Sequence, residues 1–188
     1  MSRLSTIHPS SAKGIISEIY ASIKKASGIV PNVYATIGTH CPSGLKTILE
    51  LDKVIEESTL TEIELAAIRL KVSTHSSCDY GIAAHSFLGK FAGLSQATIT
   101  NIKTAQPTLN TKLDSLIEFV SILINSKGVI NPSSLQDLLD AGYTENNIID
   151  ICLVVSTTTF INLVNRINNT TIDFPQCGCE SEARGKKS

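Results

Sequence analysis

A thiol and an imidazole, Cys78 and His85, stand seven residues apart in the segment Ser76-Ser77-Cys78-Asp79-Tyr80-Gly81-Ile82-Ala83-Ala84-His85. On a helix of ~3.6 residues per turn, seven residues make almost two turns, so both side chains fall on one face. A thiol at a helix start meets the positive end of the helix dipole, which favours the nucleophilic thiolate. An imidazole titrates near neutrality and can take or return a proton. Ser76 and Ser77 offer capping hydroxyls at the same terminus, and Tyr80 and His75 are nearby polar groups. Gly81 lies on the same stripe and brings no side chain, leaving room for a substrate beside the thiol. Cys78 and His85 are the candidate catalytic residues; Tyr80 and Gly81 are the candidate binding positions.

The remaining reactive residues carry less. The chain has five cysteines, at positions 41, 78, 152, 177 and 179. An odd count, irregular spacing and no secretory-type segment in residues 1–11 argue against a disulfide framework. Cys152 lies in the apolar run 148–164 and is expected to be a buried, inert core residue. Cys41 precedes Pro42 at a loop, and Cys177 and Cys179 lie in a polar tail. His8 and His40 show no metal-ligand spacing, and no glycine-rich phosphate loop is present, so no cofactor is expected. A net charge of -1 exerts no long-range pull on nucleic acid or anionic membrane. The apolar run is broken by Asp150, residues 156–159 and Asn162, and it is shorter than the roughly 20 residues of a membrane span. A cytoplasmic protein is the expectation.

The elements that must position Cys78 and His85 read as helices throughout. With 188 residues, 42% of them hydrophobic, the chain can bury one aliphatic core, and the expected division is a helical domain over 1–175 with a polar, flexible tail over 176–188. Residues 10–26 carry Ile15, Ile16, Ile19, Tyr20 and Ile23 at helical spacing. Val30-Pro31-Asn32 opens a short helix, and residues 45–57 form the next, with Asp52 on an otherwise apolar face. Thr61 and Glu64 make a capping box that starts another helix. Residues 79–91 follow the Ser76-Ser77 break, with Tyr80, Ala84, Phe87, Leu88 and Phe91 expected on the inner side. Gly93-Leu94-Ser95 breaks the chain, and helices are expected again over 109–125, after Pro132, and from Thr144 to about Asn168. No strand is expected, and the class is all-α.

The segment from Leu60 to His85 resembles the core of the carboxymuconolactone decarboxylase family, in its alkyl hydroperoxidase D-like (AhpD-like) branch. The branch's pattern, C-x-x-C-x-x-x-H at a helix start, is matched by Cys78, Ala84-His85 and the aromatic Tyr80. Gly28 to Tyr34, Leu45 to Leu51, Asp137 to Gly142, and Asn162, Asn165 and Asp173-Phe174-Pro175 extend the resemblance over nearly the whole chain to Pro175. The resemblance implies a multi-helix fold, a homotrimer or homohexamer, and hydroperoxide reduction supplied by a thiol or by a lipoyl-bearing or thioredoxin-like protein.

Two of the branch's positions depart from the pattern. The second cysteine, which attacks the peroxide, is Gly81, and the relay glutamate twelve residues before the first cysteine is Ala66. Glu64 falls on another helical face; Glu62 faces better but lies one turn back. Three readings stay open: a one-cysteine peroxidase or thiol-disulfide oxidoreductase using Cys78, with Cys177 or Cys179 able to resolve it; a non-redox, decarboxylase-like enzyme using His85; and a non-catalytic oligomeric relative. The first is preferred, because Cys78 keeps its place at a helix start.

Overall fold

The computed structural model describes residues 2–174; the expected tail over 176–188, with Cys177 and Cys179, lies outside them. Among the described residues, a short 3-10 helix at Pro9–Ser11 precedes nine α-helices and no strand is formed. They are α1 (Ile15–Ser27), α2 (Asn32–His40), α3 (Pro42–Glu56), α4 (Glu62–His75), α5 (Asp79–Phe91), α6 (Gln96–Lys103), α7 (Thr111–Asn125), α8 (Pro132–Asp140) and α9 (Glu145–Asn168). The class is all-α, as the periodicity predicts.

Helix α4 is the axis of the molecule. It packs against α5, α6, α7 and α9, and Leu65, Ala67, Ile68, Leu70, Val72 and Ser73 are all buried. A helix enclosed on most sides has no single apolar stripe: Ile63 is exposed while Glu64 is buried. Glu64 is tolerated inside because the predicted capping box forms. Its carboxylate accepts from the Thr61 N–H and hydroxyl at 2.8 Å each and from the Tyr143 hydroxyl at 2.8 Å. Lys112 Nζ stands 3.8 Å away.

Two apolar clusters flank α4. One joins α4, α6, α7, α8 and the first half of α9 through Ile68, Ile99, Leu116, Leu138 and Ile151. The other joins α1, α2, the first half of α3 and the start of α5 through Tyr20, Val33, Leu45, Cys78 and Tyr80. Helix α6 was not expected, because Thr and Ile give it weak intrinsic propensity. Tertiary burial stabilises it: Ile99 and Ile102 are each 1% exposed, worth about 1.5–3 kcal/mol apiece. Ser95 caps it by accepting the Thr98 N–H at 3.0 Å.

Two further expectations are corrected. Cys152 is exposed, not buried. Helix α9 turns Ile151, Val154, Val155 and Asn162 inward, and Cys152 lies on the opposite side. On α5, Tyr80 and Ala84 are buried as expected, but Leu88 and Phe91 are 48% and 76% exposed. The inward positions at that end are the small residues Ser86 and Gly89, which let the helix sit close to its neighbours.

Candidate functional site

The Ser76-Ser77 break sets the site's geometry. Ser77 adopts a left-handed φ of 49°, which lets the Cys78 N–H reach back to the Ser73 carbonyl at 3.0 Å and close α4. The chain then restarts directly, and Cys78 itself is the N-cap of α5: its sulfur accepts the Gly81 N–H at 3.4 Å. The expected serine caps do not form. Ser76 Oγ instead donates back to the Val72 carbonyl at 2.9 Å and accepts from Asn162 Nδ2 at 3.1 Å.

Cys78 is 1% exposed. Burial pushes its thiol above the ordinary range, outweighing the Gly81 N–H and the more distant charge of Arg166, which act the other way. The thiol is therefore protonated at neutral pH, with the helix dipole insufficient to offset lost hydration. Tyr80 is buried beside it, edge-on to Phe174 with centroids 5.7 Å apart. Burial and then the Asp173 carboxylate raise the Tyr80 phenol, keeping it neutral.

The space expected at Gly81 is occupied. A Cβ built there would meet Asn162 Oδ1 at 2.5 Å and Ser73 Oγ at 2.6 Å. Those atoms belong to a buried polar network: Asn162 Nδ2 donates to Ser73 Oγ at 3.2 Å and to Ser76 at 3.1 Å. Glycine at 81 is thus matched to side chains from α4 and α9, and no room for a substrate remains on that side.

His85 belongs to different surroundings. Seven residues at ~1.5 Å rise carry it about 10 Å along α5 from Cys78. It lines a cavity of about 370 Å³ with Glu56, Glu62, Ala66, Arg69, Leu88 and Phe91 among its walls; Cys78 and Gly81 do not line it. Burial first, and the Arg69 charge second, lower His85 to about 3. The ring is neutral at physiological pH and offers one donor and one acceptor nitrogen. Arg69 Nη2 lies 3.6 Å from Asp52 Oδ1, and Asp52 Oδ2 accepts the Tyr34 hydroxyl at 2.9 Å. Burial and Asp52 raise the Tyr34 phenol, so it stays a donor. Tyr34, Asp52 and Arg69 come from α2, α3 and α4 in turn and form one connected polar line, whose Arg69 end lines the cavity with His85 of α5.

The structure therefore separates the two residues that sequence spacing joined. Cys78, Tyr80 and Gly81 are packed inside one cluster, and His85 opens to a cavity. Arg69, Asp52 and Tyr34 were missed as site residues. The available signal was Asp52, a carboxylate on the apolar face of α3. Ala66, where the branch's relay glutamate is missing, does line the cavity, and Glu62 lines it one turn earlier.

This arrangement of helices is the AhpD-like fold. A peroxidase-related protein from Ralstonia eutropha JMP134, described as an alkylhydroperoxidase AhpD core, matches with a TM-score of 0.82 at 16% identity over 92% of each chain. A putative antioxidant defence protein AhpD from Agrobacterium tumefaciens matches at 0.66 and 15% identity over 73% of this chain and 96% of its own. The debrominase Bmp8, solved with 2,3,4-tribromopyrrole, matches at 0.73 and 17% identity over 92% of each chain. No protein-family model matches the chain, and no curated protein does.

Proposed function

We propose that the chain is an enzyme acting on a small, ring-shaped organic acid in the His85 cavity by acid–base rather than thiol chemistry. The observation that carries this reading is the convergence of Arg69, neutral His85 and the carboxylates of Glu56 and Glu62 on one cavity of about 370 Å³, without Cys78. A guanidinium and an imidazole N–H together stabilise negative charge developing on a carbonyl oxygen. Glu62 stands where a carboxylate can take a proton from carbon or return one. Asp52, held by Tyr34, orients Arg69 from behind. Leu60, Leu65, Leu88 and Phe91 supply the apolar walls that a ring requires. The decarboxylase branch of the wider family works with histidine and acid–base groups rather than cysteines, although the motif in this sequence resembles the AhpD-like branch.

The test is turnover of a panel of cyclic keto acids and lactone acids. His85→Ala and Arg69→Gln are each expected to lower kcat/KM by about 10²–10⁴-fold, while Cys78→Ser leaves it unchanged. Undiminished turnover in both cavity variants overturns the reading.

One observation favours a second reading, a one-cysteine hydroperoxide reductase: the α5 N-terminus donates the Gly81 N–H to the Cys78 sulfur. Local opening of α5 would hydrate the thiol and release the thiolate. The sulfur then takes the distal peroxide oxygen, leaving an alcohol and a Cys78 sulfenic acid. Two equivalents of external thiol return Cys78 to the thiol, giving water and a disulfide. Hydroperoxide turnover that disappears in Cys78→Ser and survives in His85→Ala selects this reading over the first.

A further inference from the structure

The chain that leaves α9 turns back onto the sealed end of α5. Asn169 takes a left-handed φ of 50° and ends α9, and the Thr170 N–H reaches back to the Asn165 carbonyl at 3.1 Å. Residues 170–174 then run without helix, and Ile172 and Phe174 pack on the apolar cluster that holds Cys78 and Tyr80. The Phe174 ring stands edge-on to Tyr80, with its centroid 6.2 Å from that of Phe87. The segment is a strap, and the cluster it covers contains the buried thiol.

The strap is tied at its base and along its length. At the base, Asn168 Nδ2 donates to Thr170 Oγ1 at 3.1 Å and to Thr36 Oγ1 at 3.2 Å. Further on, Asp173 Oδ2 accepts the Asn32 N–H at 2.7 Å, and Asn32 Nδ2 donates to the Thr171 carbonyl at 2.9 Å. Helix α2 begins after Pro31 with no side-chain cap of its own, so Asp173 supplies the anion its N-terminus favours.

Other features of the strap oppose its closure. Ile172, Asp173 and Phe174 are only half-buried, and a segment with little buried area opens at low cost. Among the described residues, six buried side-chain polar atoms lack a hydrogen-bond partner, and four of them belong to Tyr80, Asn165 and Asp173. Two of those four, the Tyr80 hydroxyl and Asp173 Oδ1, sit where the strap meets α5. Lifting the strap hydrates both, which offsets part of the apolar contact that Phe174 gives up. The start of α5 is held more firmly, because Gly81 presses against the Ser73–Asn162 network.

We propose that residues 170–174 are a gate on Cys78: the strap lifts from α2 and α5 while the helices stay folded, and only then does the thiol meet small soft electrophiles such as a hydroperoxide. Hydration in the lifted state removes the burial that keeps the thiol protonated. The gate concerns access to Cys78 alone and is independent of the reaction assigned to the His85 cavity.

Thiol labelling of the full chain tests the gate, in a background with Cys41, Cys152, Cys177 and Cys179 changed to Ser so that Cys78 is the reporter. Phe174→Ala with Asp173→Asn is expected to react about 10–100-fold faster than the background with an aromatic disulfide reagent, while keeping the helical circular dichroism. Because these variants can also lower overall stability, Ile99→Ala, in the other apolar cluster, serves as the comparison. It is expected to lower the urea midpoint at least as far and to leave labelling without urea unchanged. Below the unfolding transition, labelling of the strap variants is expected to stay nearly flat with urea, because lifting a strap exposes little surface. Strap variants no faster than the background, equal acceleration in Ile99→Ala, or labelling that climbs with urea at the slope of global unfolding overturns the gate.

Discussion

The two ends of α5 are built in opposite ways. At the Cys78 end, the helix start is sealed: a protonated thiol caps its own helix, and Gly81 presses against Ser73 and Asn162. From the middle of the helix onward, His85, Leu88 and Phe91 face an open cavity with Arg69 and two glutamates. The AhpD-like pattern places its nucleophile at the first end and its proton-handling histidine toward the second. Here the thiol is buried and only the histidine opens to a cavity. A motif on one helix can thus lose half its chemistry without changing the helix, because each end is governed by what the neighbouring helices bring to it.

The sharpest way to break this comparison is Gly81→Cys, which restores the motif on paper. Overpacking against Ser73 and Asn162 is expected to lower stability by about 1–3 kcal/mol in urea denaturation. Adding Asn162→Ala should recover part of that loss, a coupling a double-mutant cycle reads directly. A fully stable Gly81→Cys protein would show that the sealed end can reopen.

Next in size is the contrast between two glutamates two residues apart. Glu64→Gln is expected to cost about 1–2 kcal/mol, because its carboxylate accepts three hydrogen bonds that begin α4 and hold Tyr143. Burial alone would raise Glu64, but the Thr61 hydrogen bonds, Tyr143 and Lys112 outweigh it and lower it. Its contribution is accordingly present above the ordinary carboxylate range and lost as the pH falls through its depressed value. Glu62→Gln should leave stability unchanged and reduce turnover instead.

A pH-dependent effect is expected from His85 on acidification. Its folded value of about 3 lies below the ordinary 6.5, so the unfolded chain binds the extra proton first. Stability should decline as the pH falls from about 6.5 towards 3, and Tm measured against pH in His85→Gln should lack that component. The smallest effect belongs to Cys78→Ser, expected within about 1 kcal/mol of wild type, since serine is itself a good N-cap. Cys78 should also react more slowly than exposed Cys41 with a thiol-specific reagent, because it is buried and protonated.

Much of this was legible before any coordinates. Helical periodicity, the Thr61–Glu64 box and the Ser76-Ser77 break follow from local interactions spanning four or five residues, so the all-α class and the start of α5 could be read directly. The short helix α6 could not, because its stability comes from Ile99 and Ile102 packing against α4 rather than from its own residues. Cys152 was misplaced for a related reason: hydropathy averages over a helix and does not say which side meets the core. The pairing of Cys78 with His85 follows from ideal helical spacing, whereas Cys78 is the extended N-cap just before α5. What only the tertiary structure decided is the surroundings of each. Ser73 and Asn162, 89 residues apart in sequence, fill the place beside Gly81, and Arg69 of α4, paired with Asp52 of α3, shares the cavity with His85. Local sequence sets which residues share a helix face, and long-range packing sets whether that face meets a wall or a cavity.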